Sequence, residues 1–345
     1  MKVLLIKRGA IGDLLMATPF IRQLKQSINC SIDVLVGKDS SIVLTGNSYI
    51  NNKFIIDDSW FTIRKIHKFV MYLYKFRKNN YDYVFVLDKH WYFNLCVNIL
   101  GCLTVGFKRD FISRYLLDYS VVYNDINKYQ GVYYLELLHK IKPNVVNFND
   151  LKLDINISSL SKSKVDDWII QQNIHKFAIV VNSGGNNAFE SNGVRMMPFD
   201  KTTSLLQELS KKYEKILLVG GSVDVDSYNR YVYKLENIDN VLNVAGYFTL
   251  SESAYLISLS EMAYITDCGA LHLAIASGCN KNMIAIFSAT NPNHFMPKEL
   301  LQRAYWQDED VYTDRYSLYG NKKIKHHKYF TKLKIRDLID FDCVK

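Results

Sequence analysis

Short apolar runs recur along this chain, and longer stretches with helical spacing separate them. Val3–Ile6, Ile32–Val36, Phe54–Ile56, Tyr83–Leu87 and a short segment near Val105 are rich in apolar side chains at consecutive positions. That is the pattern of strands covered on both faces. Between them, Leu14–Ser27, Ile63–Lys78 and Trp91–Leu100 read as helices. Pro19 is tolerated in the first of these only near its start. Residues 150–176 hold Ser158-Ser159-Leu160-Ser161 and a helix around Trp168, and read as a linker. A second alternation then begins, with strands expected at Phe177–Val181, Lys215–Val219, Val241–Val244, Met262–Ile265 and Met283–Phe287. Phe199–Lys211 reads as one of the intervening helices, and Thr249-Leu250-Ser251-Glu252 has capping-box form, starting a helix through Leu259. Strand–helix alternation implies parallel sheets with covering helices. The expected organisation is two α/β Rossmann-like domains, 1–160 and 161–345, with no short internal repeat.

Composition narrows the partners. The 345 residues suit two domains, and a hydrophobic content of 48% is ample for two cores. Lysine and arginine exceed the acids by 43 to 34, a net charge of +9, which favours an anionic partner: nucleic acid, acidic membrane or phosphorylated glycolipid. An inert basic surface is the plain alternative. No recognition-helix, zinc or RNP-like pattern supports nucleic acid. The six cysteines show no CxxC spacing and several sit in apolar runs, so they read as buried thiols in a reducing compartment. The N-terminus runs straight into a strand without a signal-peptide pattern, and no run is long and apolar enough to span a bilayer. The expectation is a cytoplasmic protein, with peripheral contact at the inner face of a membrane left open.

Candidate chemistry concentrates at Met262–Gly278, which reads as a buried strand, a sharp turn and a helix. Asp267 ends the strand, Cys268 and Gly269 make the turn, and His272 lies in the first helical turn. Gly269 allows close backbone approach to a ligand, and a helix start offers free N–H groups to an anion. The turn suits a sugar nucleotide: amides for phosphate, a carboxylate for hydroxyls, an imidazole beside them. Asp267-Cys268-Gly269-Ala270-Leu271-His272 resembles the Asp-Ser/Thr-Gly-x-x-His signature of the lipopolysaccharide heptosyltransferases, glycosyltransferase family 9. Cys268 departs from the usual Ser/Thr, which weakens a side-chain phosphate contact and leaves the backbone N–H.

Further segments carry the same resemblance. Gly12-Asp13, followed by Pro19, is similar to the family's N-terminal Gly-Asp segment, whose aspartate is the general base. An acceptor hydroxyl is a poor nucleophile, and a carboxylate can take its proton as the C–O bond forms. From the residues alone, Asp13 is equally readable as a helix N-cap. Asn182-Ser183-Gly184-Gly185, continuing to Arg195-Met196-Met197-Pro198, resembles the donor-phosphate segment, with Arg195 in the basic position and Met197 replacing the usual Trp. Arginine suits a diphosphate because its fork donates in pairs. Ser183 and Gly184 offer further polar contacts. Val219-Gly220-Gly221-Ser222-Val223-Asp224 implies a strand end with room for a nucleotide beside Gly221, and Asp224 as a ribose partner or simply an acid at a helix start. Asp224-Val225-Asp226 also has DxD form, without the surrounding pattern of metal-dependent transferases. Ser288-Ala289-Thr290-Asn291-Pro292 is similar to the family's Phe-Gly-Pro-Thr-x-Pro, placing Thr290 beside the donor.

The resemblance implies GT-B architecture, two Rossmann-like domains facing across a cleft, with the tail, around Lys332–Ile339, crossing back to the first. It implies an inverting, metal-independent transfer of heptose from ADP-heptose to the inner core of lipopolysaccharide or lipooligosaccharide, without a cofactor. Another nucleotide sugar, a protein acceptor or a non-catalytic binding role are the alternatives. On the acceptor side, His90, Lys108 and Arg109 fall where the first domain would line the cleft. Arg64, Lys65, Lys68, Lys75, Arg77 and Lys78, with no acid between Asp58 and Asp82, suit either anionic headgroups or solvent.

Overall fold

The computed structural model describes residues 1–61, 63–109, 111–184, 194–307 and 329–341. Gly185 and the Tyr-, Lys- and His-rich stretch from Tyr312 to Lys328 lie outside the described residues. The chain divides into two units, Met1–Asn156 and Ile157–Lys345.

The first unit is a parallel six-stranded sheet. Its strands are β1 (Lys2–Lys7), β2 (Ser31–Gly37), β3 (Asn52–Ile56), β4 (Tyr83–Val86), β5 (Leu103–Lys108) and β6 (Tyr119–Val122). Their spatial order is β3-β2-β1-β4-β5-β6. Val3 pairs with Ile32 on one side and Tyr83 on the other, so β1 is central and its apolar run is covered on both faces. Each such Leu, Ile or Val contributes about 1.5–3 kcal/mol on burial. Helices α1 (Ile11–Met16), α2 (Thr18–Ser27), α3 (Ile66–Phe76), α4 (Trp91–Val97), α5 (Ser113–Leu116) and α6 (Gln130–Ile141) connect and cover the strands. α2 packs on α6, whereas α3 and α4 close the opposite face with Phe69, Leu73, Phe93 and Val97 against Leu4, Ile6, Val84 and Val86.

The expected single helix Leu14–Ser27 is two. α1 ends at Met16, and α2 restarts with Pro19 at its N-terminal turn, where its missing N–H costs nothing. The expected linker is also corrected at its start. Arg22 of α2 donates to the Lys152 carbonyl at 2.9 Å and pairs with Asp150 and Asp154, fastening residues 150–154 to the first unit. Strand β6 and helix α6 were not read from the sequence.

The second unit repeats the plan with β7 (Phe177–Val181), β8 (Lys215–Leu218), β9 (Val241–Asn243), β10 (Met262–Thr266), β11 (Met283–Phe287) and β12 (Ala304–Trp306), ordered β12-β11-β10-β7-β8-β9. Its helices include α7 (Ser159–Gln171), α8 (Phe199–Ser210), α9 (Val225–Lys234), α10 (Leu250–Leu259) and α11 (Gly269–Ala276). The capping box expected at Thr249 is present: its side chain accepts from Glu252 N, and the Glu252 carboxylate accepts from Thr249 N at 2.8 Å. The helix at Ile335–Asp340 packs on α8. Leu333 and Leu338 are buried in this unit's core, and Lys201 donates to the Leu333 carbonyl at 2.9 Å. The described tail therefore completes the second unit, correcting the expectation that Lys332–Ile339 crosses to the first; its apolar positions fit the groove beside α8.

Candidate active site

In each sheet the strand order reverses at the centre, between β1 and β4 in one unit and β7 and β10 in the other. Parallel sheets bind ligands in the crevice outside the carboxyl ends at such a point. The residues singled out from the sequence gather at these two places.

In the first unit, β1 ends at Lys7, beside Asp88, which lies two residues beyond the end of β4. The Lys7 ammonium bridges Asp13 Oδ2 and Asp88 Oδ1, both at 3.2 Å, and also donates to the Gly9 carbonyl. Asp88 accepts from the Arg8 N–H at 2.6 Å. Asp13 is not the N-cap of α1; that position is Ala10. Its carboxylate is directed to Lys7 instead and is 26% exposed, open enough for a substrate to reach. The ammonium beside it favours the carboxylate form that a base must have. Burial opposes the charge on Lys7, but Asp13 and Asp88 outweigh it and hold its pKa above the ordinary 10.5.

Lys89 stands nearby, its ammonium 4.7 Å from the centre of the Tyr123 ring. Burial lowers it to about 8 against the pull of Asp13, with Lys7 and Arg109 adding to the fall. Burial and then Arg109 lower His90. Arg109 and His90 thus lie within electrostatic reach of one another and of Lys89, while Lys108 ends β5 one residue before Arg109. Tyr123 and Tyr134 complete the wall as phenols held well above their ordinary range, by burial first and by Asp13 next. The role of Lys7 was missed from the sequence because a lysine ending a strand usually points to solvent.

Lys7→Met should cost about 3 kcal/mol of stability at neutral pH, because two carboxylates lose their shared buried cation. The sign follows from linkage. A lysine whose folded pKa is raised contributes fully below 10.5, and the contribution fades only as pH climbs through the higher folded value. Urea melts of both proteins at pH 7 and above 11 should show the difference shrinking at the higher pH.

In the second unit, β7 and β10 end side by side. Ser183 N donates to the Thr266 hydroxyl at 3.1 Å, and that hydroxyl reaches the Ser183 carbonyl at 2.9 Å. Asp267, with a side chain only 2% exposed, accepts at Oδ2 from Arg195 Nη1 at 3.0 Å and from the Thr290 hydroxyl. Arg195 is held from both sides. The Ser288 hydroxyl donates to the Val194 carbonyl at 2.9 Å, and Asn182 clamps Met197, accepting from its N–H at 2.8 Å and donating to its carbonyl at 3.0 Å. Asn182 was not singled out from the sequence. Met197 fills the apolar core where the family's tryptophan would stand.

Asp224 has an internal role: its Oδ2 accepts from Gly221 N at 2.9 Å. Burial raises its pKa, against hydrogen bonds from Gly221 and the Ser183 side chain. A side chain on Gly220 would meet that carboxylate at 2.7 Å, so Gly220 makes room for Asp224. The turn at Cys268 and Gly269 opens α11, with Cys268 giving no side-chain cap and Gly269 half-buried. Burial pushes the Cys268 thiol up to about 12. His272, the fourth residue of α11, is buried. Ser183 and Gly184 stand at the end of β7, both buried. Among the described residues, no group of three or more His, Cys, Asp or Glu is arranged to hold a metal ion, and no helix is long and apolar enough to cross a membrane.

No curated protein matches the chain by sequence. Its fold is similar to that of the ADP-heptose LPS heptosyltransferase II of E. coli, at 18% identity and a TM-score of 0.72 over 99% of both chains. It is also similar to the E. coli heptosyltransferase WaaC solved with ADP, at 14% identity and 0.67 over 99% of this chain and 98% of that one. A family 9 glycosyltransferase of Veillonella parvula gives 15% identity and 0.72 over 90% of this chain and 86% of that one. These likenesses establish the GT-B fold. The model of glycosyltransferase family 9 (heptosyltransferase) matches residues 72–324, more than two thirds of the chain. The chain therefore belongs to glycosyltransferase family 9 and is a glycosyltransferase.

Proposed function

We propose that this enzyme transfers heptose from ADP-heptose to a sugar hydroxyl of the lipopolysaccharide or lipooligosaccharide inner core, with inversion and without a metal. The observation that carries the reading is Arg195, pinned through Val194 and Met197 beside Asp267, Thr290 and the start of α11. That is a built site for a diphosphate and its sugar. Two of the solved structures that share the fold, one named for ADP-heptose and one solved with ADP, support the same donor here.

In this reading the second unit holds the donor and the first supplies the base. Asp13 takes the proton of the acceptor hydroxyl as its oxygen attacks the anomeric carbon. The bond from that carbon to the diphosphate breaks, and its electron pair stays on the departing phosphate oxygen. Arg195 and the amides at Gly269 meet the charge that develops there. A diphosphate is a good leaving group, so no separate acid is needed. Lys89 and Arg109 give the acceptor side cations suited to a phosphorylated sugar, and His90, its pKa lowered by burial, adds a neutral imidazole.

The test is turnover with a panel of nucleotide sugars and heptose-deficient core glycolipid, with and without EDTA. Transfer from ADP-heptose, unchanged by chelation, is expected. Turnover only with another nucleotide sugar would replace the donor assignment. Strict dependence on added cation would bring Asp224 and Asp226 back as metal ligands.

A further inference from the structure

The helical face of the first unit carries a feature that its catalytic chemistry does not use. Helices α3, α4 and α5 lie next to one another on one side of the sheet: α3 packs on α4, α4 packs on α5, and Phe69 meets Phe93 edge-on at 5.8 Å. Asn98, just beyond α4, donates to the Leu116 carbonyl at 3.1 Å and ties α4 to α5. The inward side chains of α3 and α4 make the core. Outward, these elements present large apolar groups to water: Met71 at 67%, Leu95 at 50%, Phe111 at 72% and Tyr115 at 68% exposed, with Trp91 and Ile112 also open. A soluble surface tolerates scattered apolar residues, but neighbouring aromatic and aliphatic groups mark a contact face.

Cations outnumber acids in the segments that form this face. Between residues 59 and 117 there are ten Lys and Arg against three Asp. Of those acids, Asp88 is buried against Lys7 and Arg8, Asp82 sits before β4, at the far end of the sheet, accepting from Lys2 N, and Asp110 lies outside the described residues. Arg64, Lys65 and Lys68 are exposed at the start of α3, and Arg114 lies 6.0 Å from the Tyr115 ring. Aromatic and aliphatic groups edged by Lys and Arg are what an interfacial protein surface needs: apolar area for the headgroup boundary and cations for anionic lipid.

The face also borders the acceptor pocket. Trp91 follows His90 in the chain, and Phe111 comes two residues after Arg109; His90 and Arg109 are the residues that lie within electrostatic reach of Lys89. We infer that the outer face of α3, α4 and the Phe111–Leu116 segment docks on an anionic lipid bilayer, holding the acceptor pocket at the lipid surface. The inference deepens the proposed function, since it supposes a lipid-anchored acceptor.

The test reads partitioning rather than turnover, so its failure is distinguishable from failure of the donor or acceptor assignment. The full chain is sedimented with vesicles of three parts phosphatidylcholine to one part phosphatidylglycerol, and with phosphatidylcholine alone, at low and high salt. Binding to the anionic vesicles that falls with salt is expected. Lys65→Glu/Lys68→Glu should lower it by at least about tenfold, since each cation near such a surface is worth roughly fivefold. Phe111→Ser/Tyr115→Ser should lower it by about tenfold through lost apolar insertion. Thermal melts and ADP binding should match wild type for both variants. Lys211→Glu/Lys212→Glu, in the second unit, should leave partitioning unchanged. No binding to anionic vesicles, equal binding to phosphatidylcholine, wild-type partitioning by both face variants, or an equal loss with the Lys211/Lys212 pair would overturn the assignment.

Discussion

Asp13→Asn should lower turnover by about a thousandfold while ADP binding, read by calorimetry, stays within about twofold of wild type. Positioned general bases contribute about 10²–10⁴ in rate. The substitution keeps the size of the side chain and leaves an amide oxygen that can still accept from Lys7, which stands 3.2 Å from the native carboxylate. What it removes is the ability to take a proton. Lys7 keeps Asp88 as a partner, so the fold should lose little beyond one partly exposed ion pair. The loss should appear in kcat with KM for donor nearly constant, because Asp13 belongs to the first unit and the donor residues to the second. Turnover within about tenfold of wild type would remove Asp13 from the role of base and would point to Lys89 or another group near it.

The fold was legible because parallel strands buried on both faces leave unbroken apolar runs. Phe177–Val181 and Met283–Phe287 were read to the residue for that reason. The edge strands β6 and β12 were not, since Tyr119-Ser120-Val121-Val122 and Ala304-Tyr305-Trp306 are short and only partly covered. Helix α6 escaped because three consecutive buried positions, Tyr133, Tyr134 and Leu135, obscure its period. The site shows the same division. Residues at glycine-bearing junctions between a strand and a helix, such as Asp13, Asp267 and Gly269, announce themselves. Groups that act by holding others do not. Asn182 grips Met197, Ser288 grips Val194 and Lys7 spans two carboxylates 75 residues apart in the chain; each partnership exists only once the sheet brings strand ends together. Ser288 also shows why a departure from a family pattern need not be a loss. Where the family has glycine, this chain has a hydroxyl that fixes the loop carrying its arginine.

Arg195→Met should reduce kcat/KM by about 10²–10³ and weaken ADP binding, the loss expected when a preorganised donor to developing charge is removed. The same change strands Asp267, whose side chain is 2% exposed and would keep only the Thr290 hydroxyl of its two side-chain donors. A buried carboxylate left without its cation costs about 3–5 kcal/mol, so lost stability could masquerade as lost catalysis. Two further variants separate them. Arg195→Met/Asp267→Asn removes both charges and should recover most of the melting temperature, yet it should recover little of the activity. Arg195→Lys should recover part of the stability but stay at least about tenfold below wild type in kcat/KM, because one ammonium cannot keep Asp267 and also present a fork to a diphosphate. Melting curves and donor calorimetry on the three proteins decide the matter. If the double variant regains full turnover together with its stability, Arg195 is only the partner of Asp267, and the diphosphate must be met by the amides of α11 alone.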